Sequence, residues 1–411
     1  MIQGVFSAVQ GRQVLLLQGP LGPFFKRLSR DLQQAGAQVY KIDFNGGDWL
    51  FSPRGSIKFR GHLEQWPLFF EHILDQYQID TVMLFGDCRP IHQIAHKIAA
   101  QRKLEIGVFE EGYIRPDFIT LEKFGVNGYS QLSRNPDFYL SKPNLELSSP
   151  MPVSHPFWYM TCWSVLYYVA SVLLKPIFRH YKHHRPLTLR EAWPWLRGTW
   201  RKYYFAYKEK DIQSELTSTL SGKFFLVALQ VHNDAQIHVH SDFDSVEAFI
   251  EKSISSFAQF APEDTYLIIK HHPLDRGYHD YSSVIRDLTK KYAVEQRVRY
   301  IHDQHLPTLL KNARGVILVN STVGLSALHH RKPLMVCGTA LYDMPGLSYQ
   351  GSLDKFWNEA ENYSINDKLY HHFQNYLIEH TQLNGNFYRR LKIDQSHTGL
   401  INIATNARHL L

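Results

Sequence analysis

The chain has 411 residues, 44% apolar, 20% charged and 14% aromatic, with a net charge of +7; this is too much apolar mass for one compact core, suits two domains, and excludes a disordered chain. Three cysteines, Cys88, Cys162 and Cys337, are odd in number and lack metal-ligand spacing, so they read as buried thiols of a reducing compartment. No basic segment followed by an apolar run and a small-residue cleavage site opens the sequence, so no secretion signal is expected and the cytoplasm is the default location.

Strand and helix alternate through the first half. Val14-Leu15-Leu16-Leu17 predicts a short buried strand, followed by a turn rich in breakers from Gln18 to Pro23. Phe24 to Ala35 has helical spacing, with Phe24, Phe25, Leu28 and Leu32 on one side. Gln38 to Phe44 is a second strand ending in Asn45-Gly46-Gly47-Asp48, and Asp80 to Phe85 a third ending in Gly86-Asp87. A helix over Ile91 to Arg102 leads to a fourth strand, Leu104 to Phe109, which delivers Glu110 and Glu111. Strands separated by helices imply parallel pairing in a doubly wound sheet.

Phe157 to Leu174 carries no charge, and ten Lys or Arg against Glu191 and Glu209 follow between Lys175 and Lys210. An apolar, Trp/Tyr-rich stretch leading into a basic one matches a helix lying on an anionic membrane surface. A buried helical hairpin and a true membrane span remain as alternatives; the length is within range for a span, but three tyrosines, Thr161, Ser164 and Ser171 count against it. No nucleic-acid motif accompanies the basic stretch, so no nucleic-acid partner is expected.

The second half repeats the alternation. Phe224 to Leu229 is a strand ending at Gln230-Val231-His232-Asn233-Asp234, a helix covers Val246 to Phe260, and Tyr266 to Ile269 is a strand that runs into Lys270-His271-His272-Pro273. Arg299-Tyr300-Ile301 is a short strand, Leu306 to Asn312 a helix, and Gly315 to Val319 a buried strand meeting Asn320-Ser321-Thr322-Val323-Gly324 at a helix start. Pro333 to Cys337 continues the sheet. The expected organisation is an α/β chain of two Rossmann-like domains facing a central cleft: residues 1–150, a helical aromatic and basic insertion over 151–215, a second domain over 216–350, and a C-terminal helical segment over 351–411 packing back across the domains. No internal sequence repeat is visible.

A carboxylate pair, Glu110 and Glu111, at one strand end and a Lys/His cluster at another suit group transfer from an activated anionic donor, one handling protons and the other neutralising a leaving phosphate. Asn320 to Gly324 offers backbone N–H groups and two hydroxyls to a phosphate; the plainer reading is that Ser321 or Thr322 caps the helix, and the two coexist. Lys270, His272 and Arg276 would converge on the same edge. Asp234 is either a turn-capping residue or a carboxylate flanking a sugar's anomeric centre. Gly46-Gly47-Asp48 is either a structural turn or an acceptor contact. Gly19 and Gly22, interrupted by Pro20 and Pro23, do not form a dinucleotide fingerprint. His271 and His272 lack further ligands at workable spacing, so no metal is expected.

Together these segments resemble the bacterial glycosyltransferases that use CMP-activated sugars, and more closely the capsular polysaccharide β-Kdo transferases of the KpsS type. The resemblance is carried by Leu17 to Phe25, Phe44 to Asp48, Phe109 to Arg115, Gln230 with Asp234, Lys270 to Gly277 and Asn320 to Gly324. It implies a GT-B-like, retaining enzyme that moves Kdo from CMP-Kdo to a phosphatidylglycerol-type lipid, often its lyso form, with no cofactor beyond the donor. It would act at the cytoplasmic surface of the inner membrane, in company with other capsule biosynthesis or export proteins. By resemblance, Glu110 or Glu111 is the acid/base, Asp234 the candidate nucleophile, and His272 with Lys270 the stabiliser of the leaving phosphate. His271, Pro273, Arg276, Asn320, Ser321, Thr322 and Gly324 would bind the donor, and Gly19, Pro20, Gly22, Asn45, Gly46, Asp48 and Tyr113 the acceptor. A different CMP-sugar transferase such as a sialyltransferase, and a non-catalytic capsule-assembly scaffold, are the rival readings.

Overall fold

The computed structural model describes residues 9–143, 147–182 and 192–404. The first eight residues, and Arg185, Arg190 and Glu191 of the basic stretch, lie outside them. The chain divides into two compact units, unit 1 comprising Met1–Gln131, Asn144–Leu189 and Gln374–Leu411, and unit 2 comprising Leu132–Pro143 and Arg190–Phe373.

Unit 1 runs β1 (Gln13–Leu16), α1 (Phe24–Gln34), β2 (Gln38–Asp43), α2 (Gly46–Leu50), β3 (Ile57–Lys58), α3 (Trp66–Gln76), β4 (Thr81–Phe85), α4 (Pro90–Gln101), β5 (Glu105–Glu111) and β6 (Phe118–Lys123). A short helix, α5 (Pro136–Leu140), belongs to unit 2, after which α6 (Pro156–Leu173) returns to unit 1. Successive residues of β1 point to opposite faces. Val14 and Leu16 join a core with Phe24, Phe25, Leu28 and Leu32 of α1, while Leu15 and Leu17 join one with Phe70, Ile73 and Leu74 of α3 and Ala95 and Ala99 of α4. Burial on both faces is why this strand reads as an unbroken apolar run.

Unit 2 runs α7 (Ala192–Lys208), α8 (Ile212–Thr217), β7 (Phe224–Ala228), α9 (Ala235–His240), α10 (Val246–Phe260), β8 (Tyr266–Lys270), α11 (Ser282–Lys291), β9 (Val298–Ile301), α12 (Leu306–Asn312), β10 (Gly315–Leu318), α13 (Val323–His329), β11 (Leu334–Val336), α14 (Leu353–Glu359) and α15 (Asp367–Thr381). The chain then adds β12 (Gln382–Asn384) to the sheet of unit 1, antiparallel to β6.

The strand orders locate the places where such sheets bind ligands. Unit 1 has the order β12-β6-β5-β4-β1-β2-β3 and unit 2 the order β11-β10-β7-β8-β9. The chain steps from β1 outward through β2 and β3, then crosses back to β4 on the other side of β1; in unit 2 it does the same from β7 to β10. Each crossing leaves a crevice at the carboxyl ends of two adjacent parallel strands, β1 and β4 in one unit and β7 and β10 in the other.

The fold class is therefore α/β, with a parallel sheet in unit 2 and a mainly parallel one in unit 1. The strands β6 and β12 were not anticipated: both carry polar residues inward, and β12 is only three residues long. Gln382 is fully buried, its Oε1 accepting from the Tyr113 N–H at 3.0 Å and its Nε2 donating to Thr120 Oγ1 at 3.0 Å. Among the described residues no helix is long and apolar enough to cross a membrane, which removes the spanning alternative for Phe157 to Leu174.

Candidate functional site

In unit 1 the expected strand end at Phe109 lies two residues too early. β6 returns antiparallel to β5 and pairs Glu110 with Thr120 and Glu111 with Ile119, so both glutamates are strand residues. Gly112 then lets the chain turn, because a Cβ there would stand 2.0 Å from the Phe118 carbonyl oxygen. Strand alternation sends the two carboxylates to opposite faces, so they do not act as a pair. Glu111 accepts from the Tyr388 hydroxyl at 3.2 Å, and the opposing pulls of Arg115 and Tyr388 only partly offset the burial that raises its pKa.

Glu110 has different neighbours. Its Oε2 lies beside Gly86 at the end of β4, and Oε1 accepts the Glu111 N–H at 3.0 Å. Burial pushes its pKa up to about 7, the charges of Glu111 and Asp87 adding to the effect and the Glu111 N–H and Arg89 opposing it. A carboxylate that takes up and gives back a proton near neutral pH is suited to general acid or base work.

The residues expected to meet an acceptor are mostly spent on another partner. Helix α6 lies directly on them: a Cβ on Gly46 would stand 2.2 Å from the Ala170 carbonyl oxygen, one on Gly47 2.5 Å from the Tyr167 ring, and one on Gly22 2.9 Å from Trp163. Gly47 N–H donates to Ser171 Oγ at 3.1 Å. Asn45 caps α2, its Oδ1 accepting from the Asp48 N–H at 2.9 Å while its Nδ2 donates to the Tyr167 hydroxyl at 2.7 Å. Asp48 accepts from that hydroxyl at 2.8 Å, and burial raises its pKa. Gly19 and Pro20 are likewise buried, Gly19 against the Phe25 ring. Tyr113 is buried too, its hydroxyl donating to Glu122 at 2.6 Å and accepting from the Asn127 N–H at 2.6 Å. The acceptor contacts assigned to Gly19, Pro20, Gly22, Asn45, Gly46, Asp48 and Tyr113 are thus corrected: Gly22, Asn45, Gly46 and Asp48 form a seat for α6, glycines serving because only they admit a helix so close, Gly19 and Pro20 are buried in the turn, and Tyr113 braces a buried carboxylate.

The group that organises this crevice is Gln18, fully buried. Its Nε2 donates to Asp48 Oδ2 at 2.9 Å and to the Tyr167 hydroxyl at 3.3 Å. Its Oε1 accepts from Arg89 Nη1 at 2.7 Å and from the Tyr181 hydroxyl at 3.0 Å.

Unit 2 contains a counterpart. Gln230 also stands two residues beyond the first strand of its sheet; its Nε2 donates to Asp234 Oδ2 at 2.9 Å and Asn320 Oδ1 at 3.0 Å, and its Oε1 accepts the Asn320 N–H at 3.3 Å. Asp234 and Asn320, from the loops after β7 and β10, are therefore brought together across the crevice. Ser321 Oγ accepts from the Val323 N–H at 3.3 Å, whereas Thr322, the residue preceding α13, makes no side-chain cap. Gly324 is explained by Tyr342, whose ring would lie 2.4 Å from a Cβ there.

The expected cations are largely engaged inside unit 2. Lys270 Nζ donates to the His302 carbonyl at 2.9 Å, and burial lowers its pKa to about 8. His271 is buried, its Nδ1 paired with the Tyr300 hydroxyl at 2.6 Å; burial and the neighbouring His302 lower its pKa to about 3, so it is neutral. Arg276 is ion-paired with Asp303. The donor-phosphate contacts expected of His271 and Arg276 are corrected accordingly. His272 remains half-exposed, accepting the Leu274 N–H on Nδ1 at 3.2 Å and so shaping the turn through Pro273.

That turn places Asp275, fully buried, beneath a residue the sequence reading passed over. Asp275 accepts the His232 N–H at 3.0 Å, pairs with His232 Nδ1, and accepts the Tyr281 hydroxyl at 3.3 Å. The His232 ring stacks on His279 with centroids 4.0 Å apart. A carboxylate on Nδ1 fixes the tautomer and leaves Nε2 of the neutral ring as an acceptor. The sequence signals for these missed groups were slight: a Leu-Gln step after the first strand of each half, and an acidic residue three positions after His272.

Each unit carries an aromatic helix seated on glycine. In unit 2, α7 lies on Gly277, where a Cβ would meet the Pro194 carbonyl oxygen at 2.1 Å, and Phe205 stacks on His302 at 3.4 Å. The outer face of α6 exposes Phe157, Trp158, Leu166, Val169 and Leu173, and that of α7 exposes Trp193, Leu196, Trp200, Tyr203 and Tyr207. Cys162 is exposed and Cys88 and Cys337 are only partly buried, so the expectation of three buried thiols is corrected.

Comparison with known proteins agrees with the expected family. The sequence profile of one family, described as capsule polysaccharide biosynthesis protein, matches residues 80–388. The capsule polysaccharide export protein KpsS of Escherichia coli is 38% identical over 390 residues, 92% of this chain and 98% of that protein. The capsule polysaccharide modification protein LipB of Neisseria meningitidis serogroup B is 40% identical over 387 residues, 92% of each. Among solved structures, KpsC of Thermosulfurimonas dismutans, described as a beta Kdo 2,7 transferase, is similar with a TM-score of 0.43 and 13% identity, covering 91% of this chain and 92% of that one.

Proposed function

The chain belongs to the capsule polysaccharide biosynthesis protein family, and from that premise we propose that it is a retaining glycosyltransferase that moves β-Kdo from CMP-Kdo to a (lyso)phosphatidylglycerol-type lipid and so starts the poly-Kdo linker of a capsule. The observation that carries the reading is Glu110, a partly exposed carboxyl at the carboxyl edge of the first sheet whose pKa stands at about 7. An acceptor hydroxyl is a poor nucleophile until a base removes its proton, and a base poised near the working pH does so best.

Retention of configuration is met by two displacements. The Asp234 carboxylate attacks the anomeric carbon as its bond to the cytidylate phosphate breaks, and CMP leaves with the electron pair. The acceptor oxygen then attacks the same carbon, the bond to Asp234 breaks, and the hydroxyl proton passes to Glu110. CMP leaves as a phosphate monoester, so it needs charge neutralisation more than protonation. His272 and the hydroxyls of Ser321 and Thr322 supply it, while Lys270 contributes a nearby buried charge.

A lipid acceptor gives the exposed faces of α6 and α7 a purpose. Tryptophan and tyrosine sit at the level of lipid headgroups, and neighbouring Lys175, Lys202, Lys208 and Lys210 favour an anionic surface. The protein accordingly works at the cytoplasmic face of the inner membrane beside other capsule proteins.

Donor competition tests the reading. Purified protein given CMP-Kdo or CMP-sialic acid with a lysophosphatidylglycerol should release CMP faster from CMP-Kdo, and Asp234→Ala and His272→Ala should lose that release with melting unchanged. Preference for CMP-sialic acid would favour a sialyltransferase, and undiminished function in both variants would favour a scaffold.

A further inference from the structure

The most consequential unassigned group is Arg89. It is the residue before α4, at the crevice between β1 and β4, with extended backbone (φ −71°, ψ 140°) and no capping role for its side chain. Its Nη1 donates to Gln18 Oε1 at 2.7 Å, and its guanidinium carbon lies 5.5 Å from the centroid of the Phe85 ring. Among the described residues it makes no ion pair and no other hydrogen bond, so four of its five N–H donors are uncommitted. The side chain is half-exposed. Asp87, two residues before it, is buried and has one oxygen on the Val126 N–H at 2.9 Å.

A half-buried guanidinium without a carboxylate is a costly arrangement unless an anion visits it. The support behind it is rigid: Gln18 is held from its other end by Asp48 and Tyr167, so the fork is oriented before any ligand arrives. Glu110 is close enough to feel the Arg89 charge but makes no ion pair with it among the described residues. The crevice therefore offers one oriented cation and one proton acceptor. Tyr167 belongs to α6, whose opposite face exposes Trp158, Leu166, Val169 and Leu173. Two side chains thus separate the anion site from an apolar outer surface. An amphiphile with an anionic head and a hydroxyl matches that sequence of groups, and a planar fork matches a phosphate.

We propose that Arg89 binds the phosphate of the lipid acceptor and thereby presents the headgroup hydroxyl to Glu110. The inference rests on the transferase reading and adds to it the site that recognises the acceptor.

The test compares two acceptors with the same acyl chain and the same terminal hydroxyls, a lysophosphatidylglycerol and a monoacylglycerol that lacks the phosphate, with glycerol 3-phosphate as a soluble competitor. Arg89→Gln should raise KM for the phospholipid about 10- to 100-fold, the scale of a charge-assisted contact, with kcat little changed and KM for the monoacylglycerol unchanged. Arg89→Lys should fall between. Glycerol 3-phosphate should compete far more weakly than the phospholipid; equal competition would mean that the site reads free phosphate. An equal effect of Arg89→Gln on both acceptors, or none on either, overturns the proposal. Calorimetric binding of both amphiphiles below their micellar concentration gives the same comparison without turnover. Absence of transfer by the wild-type protein would therefore count against the transferase reading, while loss of the phosphate preference in Arg89→Gln would still support the site.

Discussion

Replacing Glu110 by Gln should make the protein more stable and less active, and the stability gain should depend on pH in a defined way. In the folded chain Glu110 holds its proton up to about pH 7, whereas an unfolded glutamate releases it near 4.5. Between those values the folded state binds more protons, so stability falls as pH rises through this window, and the full cost stands above it. The rise in pKa corresponds to roughly 3 kcal/mol against the ionised form; because the side chain is partly exposed, solvent screening reduces this to about 1–2 kcal/mol. Gln keeps an acceptor for the Glu111 N–H and carries no charge. Glu122, whose pKa burial also raises to about 7, is present in both proteins and cancels. Calorimetry should therefore find equal melting temperatures near pH 4.5 and a Glu110→Gln transition about 2 to 8 °C higher at pH 8. Transfer should drop by about 100- to 10,000-fold at every pH. A melting difference that is the same at pH 5 and pH 8, or a variant that keeps its rate, would refute the assignment of the proton to Glu110.

Tyr167→Phe removes the hydroxyl that donates to Asp48 and accepts from Asn45; leaving a buried carboxylate short of a donor should cost about 1–3 kcal/mol, read as a lower denaturant midpoint, and Gly46→Ala should unseat α6 altogether. His232→Ala leaves the buried Asp275 carboxylate short of a donor and should lower stability by about 1–3 kcal/mol, while His232→Gln, whose amide can donate in its place, should recover part of it; an unchanged denaturant midpoint in His232→Ala would show that the contact contributes nothing. Cys162 is exposed on α6, whereas burial raises the Cys337 thiol pKa to about 12. A thiol reagent should therefore modify Cys162 first at pH 7, and vesicles of anionic phospholipid should slow that reaction; an unchanged rate would argue against docking through α6.

Much of the fold was legible because its strands are buried on both faces. Leu15 to Leu17, Leu226 to Ala228 and Ile268 to Ile269 read as strands from apolarity alone, and the helix over Val246 to Phe260 was anticipated to the residue. Strands with polar inward groups were not legible: Gln382-Leu383-Asn384 resembles a loop until Tyr113 and Thr120 are seen to satisfy Gln382. The glycines were noticed, but their purpose was not, because what fills the space above Gly46 and Gly47 is a helix that begins 110 positions later in the chain. The same limit applies to charge. Lys270, His271 and Arg276 look like a phosphate site in sequence, and only the carbonyl of His302, the hydroxyl of Tyr300 and the carboxylate of Asp303 show that they are engaged. Arg89 escaped notice for the opposite reason, since nothing near it in sequence reveals that its guanidinium has no carboxylate partner among the described residues.

The most direct test is the mass spectrum of a synthetic lysophosphatidylglycerol incubated with the purified protein and CMP-Kdo. A lipid heavier by one or more Kdo residues, formed with stoichiometric CMP and absent when Glu110→Gln replaces the wild-type protein, is the expected result. An unmodified lipid, under conditions where the protein is folded and binds CMP-Kdo, would contradict the account.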